Sequence, residues 1–133
     1  MGSVVNRSAL LLAPKKPLMD WVNSVFAEDA RMDLAEPLAW DNMAVYMIPE
    51  FENRDEVTSW LKENFSRFFE DQLFGWCQDP ETWPEKLTWS RFNDWFHVSW
   101  QSLIVDDLEA EPLDREVFED EELDFEEFKG IDE

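Results

Sequence analysis

One cysteine, Cys77, stands in the whole chain of 133 residues. A lone thiol excludes an intramolecular disulfide and any cysteine-rich metal site, and it fits a reducing cytoplasm. Its neighbours Gln78 and Asp79 supply no cation to activate it, so it reads as a structural thiol. Histidine is as scarce. His97 is the only one, and although Asp94 stands three residues before it, neither the three or four converging ligands of a metal site nor a nucleophile aimed at an imidazole is visible. Basic residues are few: 11 Lys and Arg face 32 Asp and Glu, a formal net charge of -21. Such a surface repels phosphate, which argues against direct nucleic-acid and anionic-membrane binding and points toward basic partners. Long hydrophobic runs are missing too. Arg7 precedes the short run Ala9 to Ala13, too short for a signal sequence or a bilayer span, and Pro14-Lys15-Lys16-Pro17 stops it from continuing as a helix. A soluble cytoplasmic protein without membrane contact is the expectation.

What is present is aromatic. The chain is 44% hydrophobic, with 8 Trp and 11 Phe, enough for a packed core in one ordinary domain. Disordered acidic chains are poor in rings, because burying rings offsets the entropy of ordering the backbone. The tryptophans run from Trp21 to Trp100, which places the globular part in about the first hundred residues. Charge divides the rest. Residues 106–133 hold fifteen of the 32 acids against Arg115 and Lys129 alone. Hence the expected organisation is a compact α+β domain over 1–105 and an acidic, partly flexible C-terminal extension over 106–133.

Along the body, Ser8 to Ala13 reads as a buried strand closed by Pro14, and Pro17 suits the first turn of a helix whose apolar positions are Leu18, Trp21, Val22 and Val25. Residues 27–42 read as an acidic connection with Trp40 anchored to the core. Ala44 to Ile48 is the second strand, ended by Pro49. Asn53 and Glu56 then have the spacing of an N-cap and its capping-box partner. The helix they open carries the stripe Val57, Trp60, Leu61, Phe65, Phe68, Phe69, Leu73, Trp76, with Lys62, Glu63, Arg67, Glu70 and Asp71 on its solvated side. Gly75 bends or ends it, and Asp79-Pro80 is a firmer stop. Thr88 or Ser90 caps a short helix holding Trp89, Phe92, Trp95 and Phe96. From His97 to Val105 the residues Val98, Trp100 and Ile104 alternate with polar ones, the period of a half-buried strand. The order β-α-β-α-α-β predicts a small, mostly antiparallel three-stranded sheet with helices packed on one face.

Candidate functional residues are sparse. Most tryptophans fall on stripes already assigned to the core, and the charge opposes base stacking, which needs a basic groove. Trp40 and Trp83, both in loops, are the two candidates for function. Lys15 and Lys16 form the only basic cluster of the body; they either hold an anion or pair with nearby carboxylates, the latter favoured by the excess of acid. The segment Asp120 to Glu127 lacks the glycine and ligand spacing of a calcium loop, so no specific metal site and no cofactor are expected. In the tail, Val117, Phe118, Leu123, Phe125 and Phe128 punctuate the acids, a mixture that short segments use to dock on a basic, partly apolar groove and order on binding.

Ser8-Ala9-Leu10 through Asn23, Tyr46-Met47-Ile48-Pro49-Glu50, Trp83-Pro84 and Phe92-Asn93-Asp94-Trp95-Phe96 together resemble a group of small acidic bacterial proteins of unassigned function. The resemblance spans most of residues 8–113. It implies a compact bacterial cytoplasmic domain and carries no activity, ligand or catalytic residue.

The expectation is a non-catalytic protein-binding module that meets a basic partner through its acidic surface or tail. Phe118, Leu123, Phe125 and Phe128 are the apolar anchors, and Glu119, Asp120, Glu121, Glu122, Glu126 and Glu127 supply the field. Two alternatives stand beside it. One is a DNA mimic that occupies the site of a nucleic-acid-binding protein, which requires carboxylates spaced like phosphates on a rigid surface. The other is a hydrolase or isomerase using body carboxylates near Trp40, Trp83 and His97, which requires a concave pocket holding a strongly shifted carboxylate.

Overall fold

The computed structural model describes residues 2–26, 43–108 and 110–116. Two compact units divide the chain, Val4–Val105 and a second that joins Met1–Ser3 to Asp106–Glu133. The first unit is an α+β fold built on a three-stranded antiparallel sheet. Among the described residues the strands are β1 (Ser3–Val4), β2 (Ser8–Pro14), β3 (Ala44–Ile48), β4 (Phe96–Gln101) and β5 (Val105–Asp106), and the helices are α1 (Lys16–Phe26), α2 (Arg54–Trp76) and α3 (Trp89–Trp95). Strand order in the main sheet is β3-β2-β4, and β1 pairs with β5 as a separate ladder.

Strand β2 is central, which explains its composition. A strand with neighbours on both edges and a packed face has little water to meet, so six of its seven residues are buried and only Leu11 is half-exposed. Its one hydroxyl is satisfied: Ser8 Oγ donates to Pro49 O at 2.7 Å. The register sets Leu10 between Tyr46 and Trp100, and Leu12 between Ala44 and Val98. Because side chains alternate, Leu10, Leu12, Tyr46, Ile48, Phe96, Val98 and Trp100 share the face that meets the helices.

Helix α1 buries Leu18, Met19 and Val22, and Trp21 Nε1 donates to Thr82 O at 2.8 Å, fastening the helix to a distant loop. Helix α2 follows the apolar stripe, burying Val57, Leu61, Phe68, Phe69 and Leu73. Its start is capped as the spacing predicts, Asn53 Oδ1 accepting from Glu56 N–H at 3.0 Å, while the Glu56 carboxylate reaches one residue further back to Glu52 N–H at 3.1 Å. Replacing Asn53 by Ala leaves that donor to water and is expected to lower stability by about 1 kcal/mol. A urea melt checks it; an unchanged midpoint would show that Glu56 alone holds the helix start. Gly75 does not end α2, which continues to Trp76 and closes with Cys77 N–H bonded to Leu73 O at 2.8 Å.

Thr88 caps α3 by accepting from Arg91 N–H at 3.1 Å, and the chain passes without a loop from Trp95 into β4. Strand β4 is shorter than the sequence period suggests: it ends at Gln101, and Val105 opens the separate strand β5. The reason is the partner. Gln101 pairs with Ala9, one residue from the start of β2, so beyond it the main sheet has almost no strand left to bond. Val5 N–H donates instead to Ile104 O at 2.9 Å.

Past β5 the described residues of the second unit begin with a turn. Asp106 Oδ1 accepts from Leu108 N–H at 2.9 Å, Leu108 O accepts from Glu111 N–H at 2.9 Å, and Leu108 and Leu113 are exposed.

Candidate functional site

The residues singled out by sequence fall into two groups. Trp40 and the tail residues Phe118, Glu119, Asp120, Glu121, Glu122, Leu123, Phe125, Glu126, Glu127 and Phe128 lie outside the described residues. Trp83, Cys77, His97, Lys15 and Lys16 are described. Trp83 is half-buried against the core, and its Nε1 donates to Cys77 O at 2.9 Å, so the ring closes the short 3-10 turn Pro80–Thr82 onto the end of α2. Cys77 is half-buried, with Thr82 Oγ1 3.3 Å from its sulfur. His97 is exposed on β4, opposite Ala13. Lys16 pairs with Asp20 at 2.9 Å as the excess of acid suggests, whereas Lys15 donates to the backbone oxygen of Asn93 at 3.0 Å.

The sheet has a second face, turned away from the core. Alternation places Ala9, Leu11 and Ala13 there from β2, Val45 and Met47 from β3, and His97, Ser99 and Gln101 from β4. Met47 and Gln101 flank Ala9, while Val45 and Ser99 flank Leu11. The result is an apolar strip with a polar side along β4. Val45 is 63% exposed and Met47 48% exposed. In the middle of the strip Ala9 and Ala13 are buried and Leu11 is half-exposed, so the exposed apolar surface lies along β3. Among the described residues strand β3 is also an edge of the main sheet, with no further strand bonded to its outer side. An apolar face beside a sheet edge is an arrangement by which sheets accept another chain, through side-chain burial and strand addition.

The sequence reading missed this face. Its signal was in the residues: Val45 and Met47 are strongly apolar yet alternate with Tyr46, so either face of β3 has a hydrophobic claim. Only the position of the helices shows which face is covered.

A polar cluster was missed as well. Asp71, expected on the solvated side of α2, is half-buried and accepts from Tyr46 Oη at 2.5 Å; Gln72 Nε2 donates to the same phenol oxygen at 2.7 Å. The correction has a simple cause. Tyr46 reaches from the sheet past Phe68, their rings meeting edge to face at 5.0 Å, and its hydroxyl arrives where α2 presents Asp71. Burial, followed by the hydrogen bond to Asp71, pushes the phenol well above its ordinary range, so it holds its proton at neutral pH. That makes the trio a clasp between β3 and α2.

The described residues also form a pocket of about 150 Å³ between α2, α3 and β4. Leu10, Val57, Leu61 and Trp100 are among its walls, and no carboxylate and no histidine lines it. Acid-base chemistry of the kind considered from sequence therefore has no support in this pocket. Among the described residues no three metal-ligating side chains converge, and no helix is long and apolar enough to cross a membrane. Compared with protein-family models, with curated proteins and with solved structures, the chain matches none of them.

Proposed function

We propose that this protein is a non-catalytic binding module whose partner is a basic protein carrying an apolar contact of its own. The single observation that carries this is the outer sheet face with exposed Val45 and Met47 on a chain of net charge -21. Apolar burial on that face supplies affinity, and the surrounding acid steers encounter and selects against other acidic proteins. In this reading the tail anchors Phe118, Leu123, Phe125 and Phe128 act as a second contact on the same partner.

The test compares three baits: the whole chain, Val45→Asp with Met47→Asp, and Phe118→Ser with Phe125→Ser and Phe128→Ser. Partners are captured and crosslinked at low and high salt. Val45 and Met47 are exposed, so the first variant keeps its fold, checked by circular dichroism. A stoichiometric basic partner held by the whole chain is expected to lose at least tenfold in affinity with the sheet variant and to weaken at high salt. A partner held equally by all three baits refutes the reading.

A further inference from the structure

The two edges of the main sheet are not alike. Strand β4 forms one and β3 the other, with β2 between them. Natural sheets protect an exposed edge with charged side chains, proline or a bulge, because a row of free backbone groups templates another strand. Strand β4 has polar His97, Ser99 and Gln101 along its outer face. Strand β3 reads Ala44-Val45-Tyr46-Met47-Ile48, with no charge and no proline, and it pairs in unbroken register with Leu12 back to Ser8 of β2. Among the described residues no strand lies on its other side, so β3 is the edge without protection of its own.

A charged group stands beside this edge. Tyr46 points to the helix-covered side of the sheet, and its hydroxyl ends at Asp71 of α2. Asp71 is half-buried, and among the described residues no cation pairs with its carboxylate. Arg67, four residues earlier, stands at the spacing of an ion-pair partner. Its guanidinium lies instead over the rings of Trp60 and Phe68, 5.4 and 5.1 Å from their centroids. The Asp71 carboxylate therefore meets a neutral phenol and no positive charge.

Antiparallel geometry sets what a strand laid along β3 must carry. The residue opposite Tyr46 points to the same side as Tyr46, with its Cβ about 5 Å away, so a lysine or arginine there has the reach to meet Asp71. Its two neighbours point to the other side and cover Val45 and Met47, 63% and 48% exposed. A chain of net charge -21 repels a second copy of itself and attracts such a segment.

We infer that β3 takes its partner by strand addition: an extended segment of a basic protein pairs antiparallel with Ala44–Ile48, apolar residues covering Val45 and Met47 and a lysine or arginine between them reaching Asp71. This rests on the protein-binding reading above and specifies its mode. Backbone hydrogen bonds supply part of the affinity, and the alternating side chains supply specificity.

The capped heptapeptide KKIKIKK is the probe. It is titrated into the full chain at physiological ionic strength and followed by the backbone amide signals of β3 in a nitrogen-proton correlation spectrum. Binding with a Kd of about 1 mM or tighter is expected. KKIIKKK has the same composition and charge but sets its isoleucines on opposite faces, and it is expected to bind at least tenfold more weakly. Two N-methylated forms of KKIKIKK, one at both isoleucines and one at the second, fourth and sixth residues, keep every side chain. One of the two is expected to lose at least tenfold, because only one set of amides faces β3. Asp71→Asn, which leaves Tyr46 an acceptor, is expected to weaken the peptide about threefold, the size of a partly exposed ion pair. Glu85→Gln, the same charge change in the loop before α3, is expected to leave it unchanged.

No saturable shift up to about 20 mM overturns the proposal, as does equal affinity for KKIKIKK and KKIIKKK, for the parent and both N-methylated forms, or for wild type and Asp71→Asn. Shifts of the β3 amides with protein concentration alone also overturn it, because they make a second copy the occupant. A basic partner captured by the whole chain and lost with Val45→Asp and Met47→Asp, alongside any of those peptide results, refutes strand addition and leaves the protein-binding reading standing.

Discussion

Replacing Phe92 by Ala is expected to remove about 3–5 kcal/mol of stability, a large share of the roughly 5–15 kcal/mol typical of a domain. Phe92 is 0% exposed and sits where four other rings meet: Phe65 at 5.7 Å, Phe69 at 5.8 Å, Trp89 stacked at 5.9 Å and Phe96 at 5.4 Å between centroids. It is also the only fully buried residue of α3, a helix of seven residues. A helix that short does not persist by its own hydrogen bonds, so its position depends on this one side chain. Loss of the ring leaves a cavity and releases the segment that leads directly into β4. Urea denaturation followed by tryptophan fluorescence reads the change. Phe92→Leu, which retains much of the volume, should cost markedly less; a loss below about 1 kcal/mol for the alanine variant would contradict this account of the core.

The second large effect is alkaline. Tyr46 is the only tyrosine in the chain, so its ionisation can be followed without interference from another phenol. In the folded state its pKa lies above the ordinary value of 10, raised first by burial and then by the bond to Asp71. A phenol of this kind favours the folded state fully while the unfolded phenol is still protonated. The contribution is therefore complete below about pH 10 and is lost as pH rises from there toward the folded-state value. Wild-type protein is expected to show no tyrosinate absorbance while folded through about pH 11 and then to develop it together with loss of structure. Tyr46→Phe should cost about 1–2 kcal/mol at neutral pH, because Asp71 loses a donor and Gln72 an acceptor in a half-buried position. It should also flatten the alkaline part of the stability curve. Free titration of Tyr46 near pH 10 in the folded protein would show that the clasp is open in solution.

Much of the architecture was legible before any coordinates. The run Ser8 to Ala13 closed by a proline marked a buried strand, the stripe from Val57 to Trp76 marked the long helix, and Asn53 marked its start, because each rests on interactions between residues near in sequence. The end of β4 was not legible: alternation continues through Ile104, and pairing stops where β2 runs out. Nor was the fate of Asp71, which looks like any solvated acid on a helix until Tyr46 from the sheet reaches it. For the candidate site the gap is wider. The residues chosen for charge and aromaticity in the tail stand outside the described chain, and Trp83 is bonded into a turn. Of the two lysines read as ion-paired with nearby carboxylates, Lys16 does pair with Asp20, whereas Lys15 bonds the backbone oxygen of Asn93.

Sequence alone determined the α+β class, the caps and stripes of the helices, the strongly negative net charge, and the abundance of rings that makes a packed core. These follow from composition and from periods of two and 3.6 residues, which are local properties of a chain. Tertiary structure alone decided that β2 lies in the middle, that Val45 and Met47 face outward, and that Arg54, Asn93 and Trp100 border one pocket. Those depend on which distant segments pack together, a matter of complementary shape and burial across the whole core that no local pattern contains.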